Sequence, residues 1–487
     1  MRISVVIITI LTFMSMDMTQ VYPQESKNIP ISIEETRLIA VNNNLEIKLA
    51  RLDSKIKGTE LSYKEAVFDT ILNGEVGYTD NQLKRASTLS GTKSRTNEYN
   101  IGIDKKLASG TDVEIDFTNS REWSNSSYVS TNPYHESKIE IGLTQPIAKN
   151  FFGLIDRGNI EIIKWEIKNA ELDSYIKIED AIISVEKAYW ELVLTEEVFN
   201  IKKEMLKKAI LLFNQYRRKL KIGLVETGDV LASEANMHIR KSELLIASND
   251  LKTAEELLRV RLNLNKEVGL SPTGSLAGAD LDTNLIESMR TAFENRRDYL
   301  SKKNDIENKR VKLKMKSSSR WPEIDLKATF AANGIDSKYT HATQDVYEDS
   351  NPEYYVGIAF KYPLENNEAE SEYEKAMLEK TRAIVNLQKT ERQIISDIDK
   401  GFRKLSVDKV NISKMQRVEN LQKGKLFHEE KRFKYGRSNS DTLIRYQEDL
   451  LKAQLATQET YFNYRISILD LMGAEDSFLK NTGLEQL

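Results

Sequence analysis

Seven apolar residues recur at every seventh position from Ile178 to Leu220: Ile178, Val185, Leu192, Phe199, Leu206, Phe213 and Leu220. From Ile155 to Leu220 there is no proline, and the one glycine, Gly158, lies near the start. Ile182 and Tyr189 add a partial second register, which gives the three- and four-residue spacing of a coiled-coil seam. The spacing predicts one helix of about 65 residues, roughly 100 Å long at 1.5 Å per residue. A helix of that length cannot bury its seam alone and needs partner helices along the whole rod.

The rod occurs twice. Val185, Leu192, Phe199, Phe213 and Leu220 correspond, 213 residues later, to Ile398, Leu405, Ile412, Leu426 and Phe433. At the same spacing Lys221 to Val225 (KIGLV) matches Lys434 to Ser438 (KYGRS), and Val230, Met237 and Leu258 match Leu443, Leu450 and Leu471. Duplication constrains architecture before any motif is weighed. The first rod turns at Gly223 to Gly228, where Gly223 suits a left-handed C-cap and Thr227 or Asp229 can cap the returning helix. The second ascends over about 369–433, turns at Gly436 and returns over 442–472, with Ser440 and Asp441 offering the same caps. Shorter helical stretches, 32–68 and 283–319, precede each strand region and also resemble each other around Ala40 and Ala292. The expected division is a signal peptide over 1–22, a first repeat over 23–262 and a linker over 263–282 containing Gly269, Pro272, Gly274 and Gly278. A second repeat over 283–475 and a C-terminal tail over 476–487 complete it.

Between short helix and rod the apolar period falls to two, over about 71–145 and again over 323–362. Ile139, Ile141 and Leu143 alternate with Glu140, Gly142 and Thr144; Val356, Ile358 and Phe360 alternate with Gly357, Ala359 and Lys361. The same rhythm marks Ile101 and Ile103, then Val113, Ile115 and Phe117, with a candidate extra hairpin turn at Lys105 to Gly110. Polar loops are expected over 119–135 and 332–352. Two settings give such strands: a soluble sheet with one face on a core, or a membrane barrel with lipid outside and a polar lumen. A few strands cannot close a barrel, and an open edge is not tolerated in lipid, so the second setting demands several chains.

Composition removes other classes. A net charge of −3 lacks the basic face that nucleic acid requires. There is no cysteine, hence no disulfide, thiolate metal site or lipid-attachment residue. Arg2 followed by the apolar stretch Ile3 to Phe13 is too short to span a membrane and reads as an export signal, cleaved between Met18 and Glu25. The histidines His135, His238, His341 and His428 are dispersed, with His135 and His341 expected in inter-strand loops. Gly269 to Gly278 lack the context of a phosphate loop. No catalytic, cofactor or metal residues are assigned, and the chain reads as no enzyme.

Taken in order, Gln145-Pro146-Ile147 at a strand-to-helix elbow, its echo Tyr362-Pro363-Leu364, the turn Gly223-Leu224-Val225 leading to Asp229-Val230, and Ala292 to Tyr299 followed by Pro322 resemble the TolC-like outer-membrane efflux channel family. The resemblance implies a mainly α protein with a membrane β-barrel: a homotrimer in which four strands per chain form a twelve-stranded barrel continued by a periplasmic helical tunnel. It implies an outer-membrane conduit of a tripartite efflux or type I secretion system in a diderm bacterium. A periplasmic adaptor and, through it, an inner-membrane pump would be the partners. Ile139, Ile141, Leu143, Val356, Ile358 and Phe360 would face lipid. Gly223, Leu224, Val225, Asp229 and Val230 would form one adaptor-facing tip, and Gly436, Arg437, Ser438 and Asp441 a divergent second one. The residues also leave open a soluble periplasmic coiled-coil scaffold or adaptor whose strands make an ordinary β-domain.

Overall fold

A computed structural model describes residues 28–484 apart from 85–88, 90, 349 and 350; the expected signal peptide and its cleavage window lie outside them. The first half runs β1 (Asn28–Ile31), α1 (Ile33–Asn43), α2 (Leu45–Glu65), β2 (Thr70–Asn81), β3 (Ser94–Lys106), β4 (Asp112–Ser124), β5 (Tyr134–Pro146), α3 (Leu154–Lys221) and α4 (Thr227–Arg261). After β6 (Gly269–Pro272) the second half runs α5 (Leu285–Asn295), α6 (Arg297–Ser319), β7 (Glu323–Asp336), α7 (Tyr339–Glu348), β8 (Asn351–Lys361), α8 (Asn367–Lys434), α9 (Ser440–Glu475) and α10 (Phe478–Asn481).

The duplication is carried into the fold. Both rods, α3 and α8, have 68 residues, and their ends lie 213 positions apart. The short helices α1 and α5 match at a larger spacing, 252 positions. Each ends at a break, at Asn44 and Arg296, where ψ swings to 131° and 113°. Asn44 also caps α2 through its side chain, which accepts from the Ile47 amide at 3.1 Å. The drop from 252 to 213 leaves 39 extra residues in the first strand region. They are a hairpin: β2 corresponds to β7 and β5 to β8, and β3–β4 has no counterpart.

This corrects the count of four strands. One antiparallel sheet in the order β2-β3-β4-β5-β7-β8 holds six, because β3–β4 pairs along its length with β2 on one side and β5 on the other. Its turn sits against the elbow that leads from β5 to α3. The approach needs two glycines: a Cβ on Gly110 would lie 2.8 Å from the Gly153 nitrogen, and one on Gly153 would lie 2.6 Å from the Ala108 carbonyl. Both have positive φ, 77° and 67°. Two other expectations change. The loop expected over 119–135 is shorter, because β4 extends to Ser124 and β5 begins at Tyr134. The span 332–352 is not one loop: β7 extends to Asp336 and is followed by α7. The linker contains β6, which pairs in parallel with β1.

The apolar ladder packs as the spacing predicts in its upper part, where Ile182, Val185, Tyr189 and Leu192 are buried. Lower down, the buried residues are Met205, Leu212 and Tyr216, next to the expected Leu206 and Phe213. There the helix packs against a different set of neighbours, Val230 of α4, Leu426 of α8 and Leu443 of α9. The largest core lies at mid-rod, where α1, α3, α4, the β1–β6 pair and Phe478 and Leu479 of the tail meet.

Beside that core is a buried ion cluster. Arg297 donates to Glu179 at 2.9 Å and also pairs with Asp476, while the Phe478 amide donates to Glu179 at 3.2 Å. Burial, then the nearby Asp476 carboxylate, push the Glu179 carboxyl up to about 7, and Arg297 opposes them. The folded chain therefore holds this proton more tightly than the unfolded chain. The stability this confers is present below pH 4.5 and is lost as pH rises towards 7. Glu179→Gln, which cannot titrate, should gain on the wild type in Tm across that window and keep a constant difference above it. Thermal unfolding of both proteins over pH 4.5–8 checks this; a pH-independent difference would show that Glu179 does not titrate there.

Candidate functional site

Following the strand pairs across the sheet places all six candidate lipid-facing residues on one face. One row runs Leu72, Ile103, Ile115, Ile141, Phe330, Tyr354; the next runs Thr70, Lys105, Val113, Leu143, Ala328, Val356. Ile139 lies in the row with Ile101, Phe117 and Ala332, and Ile358 is paired through Leu326 with Gln145. Phe360 pairs with Ile324. Most of this face is uncovered: Val356 is 76% exposed and Ile358 69%. Where it turns polar, at the end away from the rods, α7 covers it. There Asn119 donates to the Ser137 hydroxyl at 2.7 Å, and Ser137 meets Thr343 of α7 at 3.1 Å. Gly334 leaves no room for a Cβ under the α7 backbone. Exposed Tyr78 and Tyr354 lie towards that end, and exposed Phe151, Phe152 and Trp321 at the rod end. Aromatic side chains flanking an apolar band are what the two interfaces of a bilayer select.

The opposite face is acidic. Its three central rows contain Glu75, Asp104, Glu114, Asp116, Glu140 and Glu353 against a single Lys138, which pairs with Glu140 at 2.6 Å.

The elbows hold Pro146 as the last residue of β5 and Pro363 two residues after β8. Two residues the sequence reading missed do much of the turning. Asn150 (φ 61°) accepts from the Ile155 amide at 2.7 Å, and Asn366 (φ 46°) donates to the Arg320 carbonyl at 3.1 Å. Asn366 and Gly153 are 213 positions apart and both precede a rod in left-handed conformation. An asparagine in αL was the available signal. His135 lies within β5 instead of a loop, stacked edge-on against Tyr339. Among the described residues no group of three or more His, Cys, Asp or Glu is arranged to hold a metal.

At the other end of the rods the two turns are built alike. Gly223 (φ 73°) and Gly436 (φ 75°) occupy the left-handed position of Schellman caps. Leu224 donates to the Lys219 carbonyl at 3.0 Å, and Arg437 to that of Arg432 at 2.9 Å. The returning helices are capped differently from expectation. Glu226 precedes α4 without a side-chain bond, and Asn439, not Ser440 or Asp441, caps α9 by accepting from Thr442 at 3.0 Å. Freed from capping, Ser440 donates to Asp229 of the other hairpin at 3.1 Å. Val230 is buried and Val225 partly so, in a cluster with Leu212, Tyr216, Leu426 and Leu443. Leu224 projects into solvent, as do Ile222 and Tyr435. In the second turn Ser438 donates to Glu429, which also holds Arg432 at 3.0 Å. Asp441 lies in the first turn of α9. Above the tips Arg240 bridges the hairpins, reaching Glu243 at 2.9 Å and Glu448 at 2.8 Å. These ties are invisible to a seven-residue pattern because they sit off the seam.

A Cβ at Gly436 would meet nothing within 4 Å, so a substitution there is opposed by φ alone. Gly436→Ala should cost about 1–2 kcal/mol, and Gly436→Asn distinctly less, since asparagine tolerates αL. Denaturation midpoints of the two variants check the order.

No protein-family model matches the sequence, and no curated protein does. Solved structures do match. The CmeC outer membrane channel of Campylobacter jejuni is 17% identical with a TM-score of 0.69, over 91% of this chain and 85% of that chain. VceC of Vibrio cholerae, an outer membrane protein, is 13% identical with a TM-score of 0.66, over 91% and 96%. The open state of the MtrE outer membrane channel of Neisseria gonorrhoeae is 13% identical with a TM-score of 0.66, over 91% and 88%. The chain therefore has the fold of the TolC-like outer-membrane channels.

Proposed function

We propose that this chain assembles as a homotrimer into a passive outer-membrane conduit. It completes a tripartite efflux or type I secretion machine in a diderm bacterium. The observation that carries the reading is the uncovered apolar sheet face at one end of rods about 100 Å long. Among the described residues no helix is long and apolar enough to cross a membrane. The rods then cross the periplasm as a tunnel, and the acidic face lines the pore. The tip formed by Gly223, Leu224, Val225, Asp229 and Val230, with Gly436, Arg437, Ser438 and Asp441 beside it, meets a periplasmic adaptor. Exposed Ile222, Leu224 and Tyr435 offer that adaptor an apolar grip. Energy comes from an inner-membrane pump on its far side, and the conduit opens when the hairpin ties near Asp229 and Arg240 give way.

Two measurements test the reading. Ile358→Arg puts a cation on the lipid face, which costs about 2–4 kcal/mol at the bilayer midplane, and should sharply lower the yield of outer-membrane trimer. Ala359→Ser, on the other face, should leave the yield near wild type. Equal yields would sink the lipid assignment, as would recovery of the wild type as a detergent-independent monomer. In a planar bilayer under a salt gradient, the reversal potential should report cation selectivity, because carboxylates dominate the pore wall. Neutralising Asp116 and Glu140 to the amides should reduce it.

A further inference from the structure

The strand register contains the geometry of a barrel. From Thr70, the first residue of β2, the paired residues lead through Lys105, Val113, Leu143 and Ala328 to Val356. Val356 lies five residues short of Lys361, where β8 ends on the same side of the sheet. The sheet is thus sheared by five residues over its five steps, one residue per strand on average. With a rise of about 3.4 Å per residue and strands about 4.8 Å apart, that shear tilts the strands by about 35°. This is within the tilt of membrane barrels.

Its two edges are unguarded. β2 has twelve residues without proline, lysine or arginine. In the eleven of β8, Pro352 and Lys361 stand only near the ends. Exposed edges in isolated sheets are normally broken by such residues. Edges of nearly equal length, opposite sense and continuous apolar face fit each other.

We infer that β8 of one copy pairs antiparallel with β2 of the next with Val356 opposite Val76, so that three six-stranded sheets close into one eighteen-stranded barrel. The inference rests on the trimeric channel reading and adds its gauge and its seam. Continuing the shear by one more residue places the Val356 row six residues into β2 from Thr70, at Val76. A slip of one residue would turn Leu72 and Val76 into the lumen. A slip of two, to Gly74 or Tyr78, would keep the faces but give the seam a step of −1 or 3 residues, outside the range of 0 to 2 found within the sheet. With Val76 opposite Val356, Tyr78 meets Tyr354 across the seam and Leu72 meets Phe360. Eighteen strands at this tilt have a circumference of about 105 Å, against about 70 Å for twelve. The rods below the sheet are neighbours in the order α2, α3, α6, α8. Three copies make a ring of twelve helices, about 96–120 Å around at 8–10 Å per helix. The inserted hairpin matches the barrel to the mouth of its tunnel.

The chain has no cysteine, so an introduced pair reports alone. Facing residues across an antiparallel seam lie about 4.5–5.5 Å apart between Cα atoms, within disulfide range. In detergent-purified full-length protein, oxidised Val76→Cys/Val356→Cys should run as a reducible covalent trimer. The slipped pairs Gly74→Cys/Val356→Cys and Tyr78→Cys/Val356→Cys should not. Preferential cross-linking of a slipped pair overturns the register. A detergent-stable trimer in which no pair cross-links overturns the seam while leaving the channel reading intact. Ile103→Arg, on the lipid face of β3, tests the strand count: it should lower membrane assembly as Ile358→Arg does. Normal assembly of Ile103→Arg would place the hairpin outside the barrel and overturn the count of eighteen.

Discussion

A β-sheet that enters lipid finds no water for its edge amides and carbonyls, so it must close. In the proposed channel, that single requirement organises the molecule. Six strands arc only part of the way round, and β2 and β8 each leave a row of unpaired backbone groups along eleven or twelve residues. In the proposed trimer, closure by copies of the same chain imposes rotational symmetry, and the symmetry passes down into the rods through the four strand–helix junctions of each copy. The duplicated hairpins are a second consequence. With two similar rods per chain, each helix of the ring meets neighbours of much the same shape whether they come from its own chain or the next.

The rods solve a different problem. Their seams are apolar at mid-rod and around the tips, and long polar side chains flank both apolar regions. Lys187 and Lys404 both reach Asp470, at 2.6 and 3.0 Å, and Lys425 reaches Asp449 at 2.7 Å. Partly exposed pairs of this kind contribute little to stability, on the order of 0–1 kcal/mol each. They do favour one alignment of neighbouring helices at low cost, which suits the sliding of helices in the proposed opening. Tighter ties, such as Arg240 with Glu243 and Glu448, lie near the tips, the end that the proposed conduit would hold closed.

Much of this was legible in the order of residues. The 213-residue repeat, the seven-residue ladder and the two turn glycines reappear as α3 and α8, their packed seams and two Schellman caps. The lipid-facing candidates share one face because alternation in a strand leaves no other outcome. What escaped was non-periodic. The short helix α7 hides in a polar segment, for its buried face is only Ala342 and Val346. The pairing of β1 with β6 joins segments some 240 residues apart with four residues each, too short for any rhythm. Capping went astray because Ser440 and Asp229 bind each other, a contact between hairpins that no local rule contains. The buried stripe of the lower rod moved by one residue where α3 packs against α8 and α9 as well as α4, a change of neighbours that no repeat within α3 contains.

The strand count shows how such a fold can change gauge without losing its tunnel. β2 leaves α2 and β5 returns to α3, so the segment between them must start and finish at the far end of the sheet. Any insertion there must add strands in pairs, and one hairpin is the smallest. Its inner turn then arrives at the level of the elbow, where a side chain would collide with the backbone. Gly110 and Gly153 meet at that point. The second half has no inserted hairpin, and at the position equivalent to Gly153 it carries Asn366, whose side chain fills the space and ties the elbow to Arg320. The asymmetry between the halves is therefore local: one added hairpin and the glycines that seat it, on two rods that remain the same length.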